Sequence, residues 1–131
     1  MIIKHATEIL LLLFLIITFV QSGFDKILDW KGTISWLKGH FSKTPLKNTV
    51  PLLAGIILVL ELIAGLLCVF GIYEIATTGH RLVALYGAIL SCITLLMLLF
   101  GQRIAKDYDG ARTIAIYFVP AIFLVFLLLK I

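Results

Sequence analysis

The sequence contains few charged residues, and this shortage excludes an ordinary soluble globular domain. Only 14% of its 131 residues are charged and 62% are hydrophobic, whereas soluble domains are about 25% charged and about 45–50% apolar. The apolar residues also form long runs and do not recur at a helical or strand period. These features predict an integral membrane protein.

Cysteine is equally scarce, since Cys68 and Cys92 are the two in the chain. Neither belongs to a C-x-x-C pair, a zinc spacing or a haem-attachment motif. A short connection joins the two apolar runs that contain them, so these runs are expected to form a helical hairpin. In that hairpin the depths of the two cysteines differ by about 12 Å at 1.5 Å per residue, whereas a disulfide requires Cα atoms about 4.4–6.8 Å apart. We therefore expect both to be small packing residues that form no intramolecular disulfide.

The sequence also lacks recognisable motifs for binding a metal, a cofactor or a nucleic acid. The three histidines are too dispersed for a metal site, and no haem, flavin or metal motif is present, so we expect no metal and see no evident cofactor. The net charge of +4 is not arranged as a basic stripe with interleaved aromatic residues, so we expect no nucleic acid partner. The lysines instead cluster between apolar runs, which is typical of membrane topology.

Four apolar runs are long enough to cross a bilayer as helices, which takes about 20 residues each. The first resembles a signal peptide, but three spans follow it, and we interpret it as a retained helix. Two short connections, 73–79 and 101–110, predict antiparallel neighbours. We expect residues 1–131 to form a single domain. The four predicted spans cover residues 8–28, 51–72, 80–100 and 111–129.

The first connection, 29–50, is longer and mixes aromatic, aliphatic and basic residues. Trp36 and Phe41 lie among four lysines, as in amphipathic helices of the membrane interface. An ordinary polar loop is the alternative. The predicted fold is therefore all-α: an integral-membrane antiparallel four-helix bundle with a short interfacial helix in the first loop.

Basic residues are distributed unevenly between the two sides of the predicted bundle. Lys4, Arg81 and Lys130 lie on the side of the termini, and eight lysines and arginines lie on the opposite side. The positive-inside rule then places the first and third connections in the cytoplasm. We therefore expect a multi-pass membrane protein with both termini on the side opposite the cytoplasm.

Glu61 lies near the centre of the second span, where a carboxylate costs about 2.5–3.5 kcal/mol on insertion scales. It therefore requires a partner, a proton or a water-lined cavity. Side chains on helices lean toward the N-terminus of their own helix, so Lys26 and Glu61 lean toward each other. Their Cα atoms are expected to differ in depth by about 12 Å, and Gln21 and Ser22 are placed to bridge them.

The polar residues on this side of the membrane form our candidate site. Arg103 lies further toward the cytoplasm, and we expect it to pair with Asp25 or Asp107. The network either binds a ligand or handles protons, or it only fixes the register of the helices. The candidate ligand-binding or buried-network residues are Gln21, Ser22, Asp25, Lys26, Glu61, Gln102 and Arg103.

Three segments of the sequence resemble the DoxX-like family of small four-span membrane proteins. The segment 21–26 resembles the family's S-G-x-x-K signature, and 61–65 resembles its E-x-x-x-G in the second span. The segment 101–110 is similar to the loop after the third span in small bacterial members. The resemblance implies a four-helix bundle in which Lys26 and Glu61 are the matching polar pair. It also implies that the bundle lies in the bacterial inner (cytoplasmic) membrane, so that both termini are expected in the periplasm.

The resemblance also implies a connection with redox complexes, because some relatives are linked to terminal quinol oxidase or thiosulfate:quinone oxidoreductase. The first hypothesis is an accessory subunit of a membrane redox or respiratory complex, without catalytic activity of its own. The alternative is a binder of a quinone-like or lipid molecule in the bundle, with Glu61 and Lys26 at its polar end. An oxidoreductase or proton-coupled carrier is less favoured, because four short helices leave little room for a transport path.

Overall fold

A computed structural model describes residues 5–129 of the chain. Lys4 and Lys130, which entered the topology prediction, lie outside them. The described chain forms five helices and no strands. Their bounds are Ala6–Leu28 (α1), Trp30–His40 (α2), Val50–Thr78 (α3), Leu82–Ile104 (α4) and Tyr108–Leu129 (α5).

Four of these helices, α1, α3, α4 and α5, are long and apolar enough to cross a membrane. They contain 22–29 residues, so each is at least about 33 Å long, and a bilayer core is about 30 Å thick. The predicted all-α membrane bundle is therefore confirmed.

Two helices extend further than their apolar runs predict. Helix α3 continues past Ile72 to Thr78, where Gly79 adopts a left-handed conformation with φ 79° and its N–H bonds the carbonyl oxygens of Glu74 and Ile75. A glycine in this conformation commonly ends a helix. Helix α4 likewise continues to Ile104. Both connections are therefore shorter than predicted, and short connections are typical of neighbouring antiparallel helices.

The four spanning helices form a closed ring around the core. Helix α3 packs on α1 and α4, α4 packs on α5, and α5 returns to contact α1. Large side chains at the centre, such as Leu12, Phe19 and Leu124, are at most 1% exposed. Each helix thus contributes one buried face and exposes the other apolar face, as expected for a chain surrounded by lipid.

Small residues allow α3 to approach its neighbours closely. A Cβ added at Gly71 would lie 2.6 Å from the Cα of Ala84, and one at Gly87 would lie 3.0 Å from the backbone nitrogen of Cys68. Packing of this kind is the main source of helix association in lipid. Gly55 on the same helix takes no part in such a contact, because nothing lies within 4 Å of the position of its Cβ.

The short helix α2 confirms the predicted helix in the first loop. The side chain of Asp29 caps its N-terminus by accepting a hydrogen bond from the Gly32 N–H, and such caps contribute about 1 kcal/mol. At its other end, His40 contacts Gln102 near the end of α4. Helix α2 therefore lies at the end of the bundle where α1 and α4 end and α3 and α5 begin.

Candidate functional site

An ion pair joins α1 to α3 inside the bundle. The Lys26 Nζ lies 2.7 Å from Glu61 Oε1 and donates a second hydrogen bond, of 2.8 Å, to Ser22 Oγ. The Glu61 side chain is 1% exposed, and that of Lys26 is 19% exposed. Since a charge alone in the bilayer core is costly, this contact explains how a carboxylate is accommodated at that depth.

Helical geometry decides which residues of α1 join the pair. Ser22 and Lys26 are four residues apart and therefore share one face of α1. Gln21 is rotated by about 140° from Lys26, and Asp25 by about 100°. Both are exposed, so the structure does not bring Gln21 or Asp25 into the network. The bridge that Gln21 was expected to provide is replaced by the direct contact of Lys26 with Glu61.

Glu61 belongs to the face of α3 that carries its small residues. Ala64, Gly65 and Cys68 follow it at helical spacing and are also buried. Gly65 is in turn covered by Val20 of α1, whose Cγ2 would lie 2.7 Å from an added Cβ. The close approach of α1 and α3 thus removes Glu61 from lipid and leaves Lys26 as its charged partner.

A cavity of about 560 Å³ lies beside this ion pair at the α2 end of the bundle. Most of its wall is apolar, and Lys26 and Gln102 are its polar side chains. Helix α2 and the turn after it provide one wall, and the ends of the spanning helices provide the others. The lining residues are Lys26, Trp36, Leu37, Phe41, Leu46, Val50, Leu53, Ala54, Ile57, Ile93, Leu96, Met97, Leu98, Phe100, Gly101, Gln102 and Ile114.

Lys26 connects the ion pair to the cavity. An ammonium group has three N–H donors, and two of them bond Glu61 and Ser22. The third N–H has no hydrogen-bond partner among the described residues. Glu61 is not among the residues that line the cavity, and it contacts the cavity only through Lys26.

Gln102 is the second polar side chain that lines the cavity, and it contacts His40 of α2. Its Oε1 lies 2.9 Å from His40 Nε2, and the same nitrogen lies 3.6 Å from Asp107 Oδ2. The other oxygen of Asp107 accepts a hydrogen bond from the Gly110 N–H and so caps the start of α5. His40 also stacks on Trp36, with ring centroids 4.6 Å apart. These contacts hold α2 against the end of α4 and the start of α5.

Arg103 occupies a different position from the one expected. Its guanidinium lies 5.2 Å from the centre of the Tyr108 ring and its side chain is exposed. Among the ion pairs between described residues, none involves Arg103. The expected pairing with Asp25 or Asp107 is therefore not observed, because Asp107 contacts His40 and Gly110, and Asp25 faces outward.

Sequence reasoning missed the involvement of His40 and Asp107. Asp107 is predicted from the sequence only as a partner of Arg103, although an aspartate just before a helix is typical of an N-terminal cap. For His40 the signal was weaker. It is four residues after Trp36 on the predicted amphipathic helix, but its contact with Gln102 depends on where α2 lies against the bundle.

The cysteines are both free and buried, in agreement with the expectation that they form no disulfide. They lie on the facing surfaces of α3 and α4, where Cys68 packs against Gly87. Among residues 5–129, no group of three or more metal-binding side chains was found.

Comparison with known proteins places these features in a family. No curated protein and no solved structure matches the sequence. The family model described as DoxX, however, matches residues 9–102. That range covers most of the chain and contains Ser22, Lys26, Glu61 and Gln102, so the cavity and its ion pair lie largely within the matched region. The protein is therefore a membrane protein of the DoxX family with four apolar helices.

Proposed function

We propose that this protein binds a quinone-like or lipid molecule in the cavity, with Lys26 donating a hydrogen bond to a polar atom of the ligand. The observation that carries the proposal is that Lys26, whose ammonium group keeps one N–H without a partner among the described residues, lines an apolar cavity. Sites for small molecules usually have volumes of about 300–1,000 Å³ and apolar walls with a few converging polar groups. The volume of about 560 Å³ and the two polar side chains agree with this description.

The arrangement of the polar groups favours an amphiphilic ligand. Lys26 and Gln102 belong to different helices, and apolar side chains such as Leu53 and Met97 lie on the wall with them. A ligand with oxygen atoms on an otherwise apolar body can form hydrogen bonds with both Lys26 and Gln102 and bury its apolar surface against the wall. Quinone-like molecules and lipids both have this character. Lys26 and Glu61 would therefore act in binding, and the proposal assigns no catalytic step to them.

A cavity-filling substitution tests this proposal. Ile93 lines the cavity, whereas Ile89, one turn earlier on α4, does not. We expect the Ile93→Trp variant to lose a small molecule that copurifies with the wild-type protein in mild detergent, detected by mass spectrometry of solvent extracts. The matched Ile89→Trp variant should retain it. Equal amounts in both variants, or no copurifying molecule in the wild-type protein, would contradict the proposal.

A second proposed function is that of an accessory subunit of a membrane redox or respiratory complex. The segment 30–60 supports it, because it carries four lysines and no acidic residue and so offers an acidic partner a basic surface. The test is purification of a tagged chain from its native membrane in mild detergent. Recovery with a larger complex at fixed stoichiometry is expected, and recovery of the chain alone would count against this function.

We also propose that the protein lies in the bacterial inner membrane with both termini in the periplasm. The support is the contact of His40 with Gln102, which places the first and third connections at one end of the bundle. Most basic residues of the chain flank that end, which the positive-inside rule assigns to the cytoplasm. A C-terminal alkaline phosphatase fusion should be active and a green fluorescent protein fusion dark. The reverse pattern would overturn this orientation.

A further inference from the structure

A second pocket lies at the surface near α2 and the start of α3, and the ligand proposed for the cavity does not use it. Its volume is about 410 Å³, and it is lined by Lys38, Ser42, Lys47, Asn48 and Pro51. Four of these five side chains can donate hydrogen bonds, and two of them are cationic. None of the residues that line it is acidic. From this set of donors we propose that the pocket binds the phosphate group of an anionic phospholipid.

The backbone between α2 and α3 arranges these donors. Consecutive turns bond Thr44 N–H to the Phe41 carbonyl, Lys47 N–H to the Thr44 carbonyl and Thr49 N–H to the Leu46 carbonyl. The segment is therefore folded compactly and brings Lys47 and Asn48 back toward Lys38 at the end of α2. No ion pair between described residues involves Lys38 or Lys47, so both ammonium groups are available to an anion.

The position of the pocket identifies the source of the phosphate as a lipid. Pro51 lies in the first turn of the spanning helix α3, so the pocket is at the depth of lipid headgroups. An exposed apolar stripe begins at the next residue and follows α3 into the membrane: Leu52, Ile56, Val59 and Ile63 are 65%, 40%, 54% and 43% exposed. Acyl chains can lie along this stripe while the phosphate occupies the pocket.

The electrostatic environment supports an anionic lipid. From Trp30 to Leu60 the chain carries four lysines and no acidic residue, and anionic headgroups attract basic segments that lie beside the membrane. Lysine is a common ligand of phosphate groups, which it contacts as a point charge. A zwitterionic lipid has the same phosphate but also a cationic group that the lysines repel, so we expect it to bind more weakly.

Two double variants of equal charge test the proposal. Lys38→Gln/Lys47→Gln removes the two cations of the pocket, and Lys31→Gln/Lys43→Gln removes two lysines of the same segment that do not line it. Native mass spectrometry of the protein in mild detergent would measure binding of phosphatidylglycerol, phosphatidylcholine and inorganic phosphate. Thermal unfolding of each variant would verify that it is folded.

We expect the wild-type protein to bind phosphatidylglycerol more tightly than phosphatidylcholine. The pocket variant should bind phosphatidylglycerol about 25-fold more weakly, if each lysine that contacts the anionic headgroup contributes about fivefold. The control variant should weaken this binding much less, because Lys31 and Lys43 do not line the pocket. Equal weakening in both variants, no weakening in either, or inorganic phosphate competing fully with the lipid would overturn the proposal. The Ile93→Trp variant should keep this binding, which separates this site from the cavity.

Discussion

Removing one partner of the Lys26–Glu61 pair should destabilise the protein, and removing both should not. We consider three variants: Lys26→Met, Glu61→Gln and the double substitution. Methionine approximates the length of lysine without its charge, and glutamine has the shape of glutamate. The single variants leave one polar group inside the bundle without its charged partner, whereas the double variant leaves no charge at either position.

The geometry of the contact sets the size of the expected effect. At 2.7 Å, two unit charges attract by about 6 kcal/mol if the effective dielectric constant is about 20. The cost of removing both groups from water offsets most of this attraction, so the net stability of such a pair is small. Loss of one partner, however, leaves the desolvation of the other uncompensated, which typically costs about 3–5 kcal/mol.

Lys26→Met should show this loss most clearly, because Glu61 is 1% exposed and has no route to water. Glu61→Gln should be milder, since Lys26 is 19% exposed and keeps its bond to Ser22. We expect about 3–5 kcal/mol for the first substitution and about half of that for the second. The double variant should return to within about 1.5 kcal/mol of the wild-type stability.

Two assays on the same preparations separate structure from ligand binding. Unfolding in dodecyl sulfate mixed micelles, followed by circular dichroism, measures the stability of each variant. Mass spectrometry of solvent extracts measures the copurifying ligand. We expect the double variant to be folded but to lack the ligand, because it has no ammonium group at position 26. A folded double variant that retains its ligand would refute the role of Lys26 in binding. The ion pair would then only fix the register of the helices.

The remaining predictions concern the packing of the bundle and the attachment of α2. Gly71→Ala should destabilise the bundle by about 1–3 kcal/mol, because its Cβ would lie 2.6 Å from the Cα of Ala84; Gly55→Ala on the same helix meets nothing within 4 Å, and micelle unfolding should show less than about 1 kcal/mol of change. Similar losses in both variants would contradict this packing. His40→Ala should release α2 from Gln102 and raise amide hydrogen exchange in α2 but not in α4. Unchanged exchange in α2 would show that the contact does not hold it.

The sequence predicts the spanning helices well because bilayer thickness alone selects long apolar runs. It predicts their ends less well. Residues 73–78 are more polar than the span before them and were interpreted as a loop, yet the helix continues to the left-handed glycine at position 79. Hydropathy measures where lipid ends, whereas Gly79 marks where the helical hydrogen bonding ends. Glycine at this position was the available signal for the longer helix.

The ion pair could be anticipated from two properties of the sequence. A carboxylate at the depth of Glu61 needs a partner, and the lean of helical side chains directs Lys26 toward it. The rotation of each residue about α1, about 100° per residue, separates Ser22 from Gln21 and Asp25 without any structure. Helical rotation alone is therefore sufficient to exclude Gln21 and Asp25 from the network.

The cavity could not be predicted from the sequence, because it depends on how α2 lies across the end of the bundle. Its lining includes residues from all five helices, and no local pattern states their mutual distances. Gln102 illustrates the point. Its place near the end of α4 was evident, but its contact with His40 requires two elements that are 62 residues apart in the chain.

The most direct test of the account is an experimental structure of the protein in lipid nanodiscs, prepared without delipidation. We predict an elongated density in the cavity beside α2, with one polar atom within about 3.2 Å of the Lys26 Nζ and the Glu61 carboxylate still on the opposite side of that nitrogen. A cavity closed by its own side chains, or a ligand that makes no contact with Lys26, would contradict the proposed binding function.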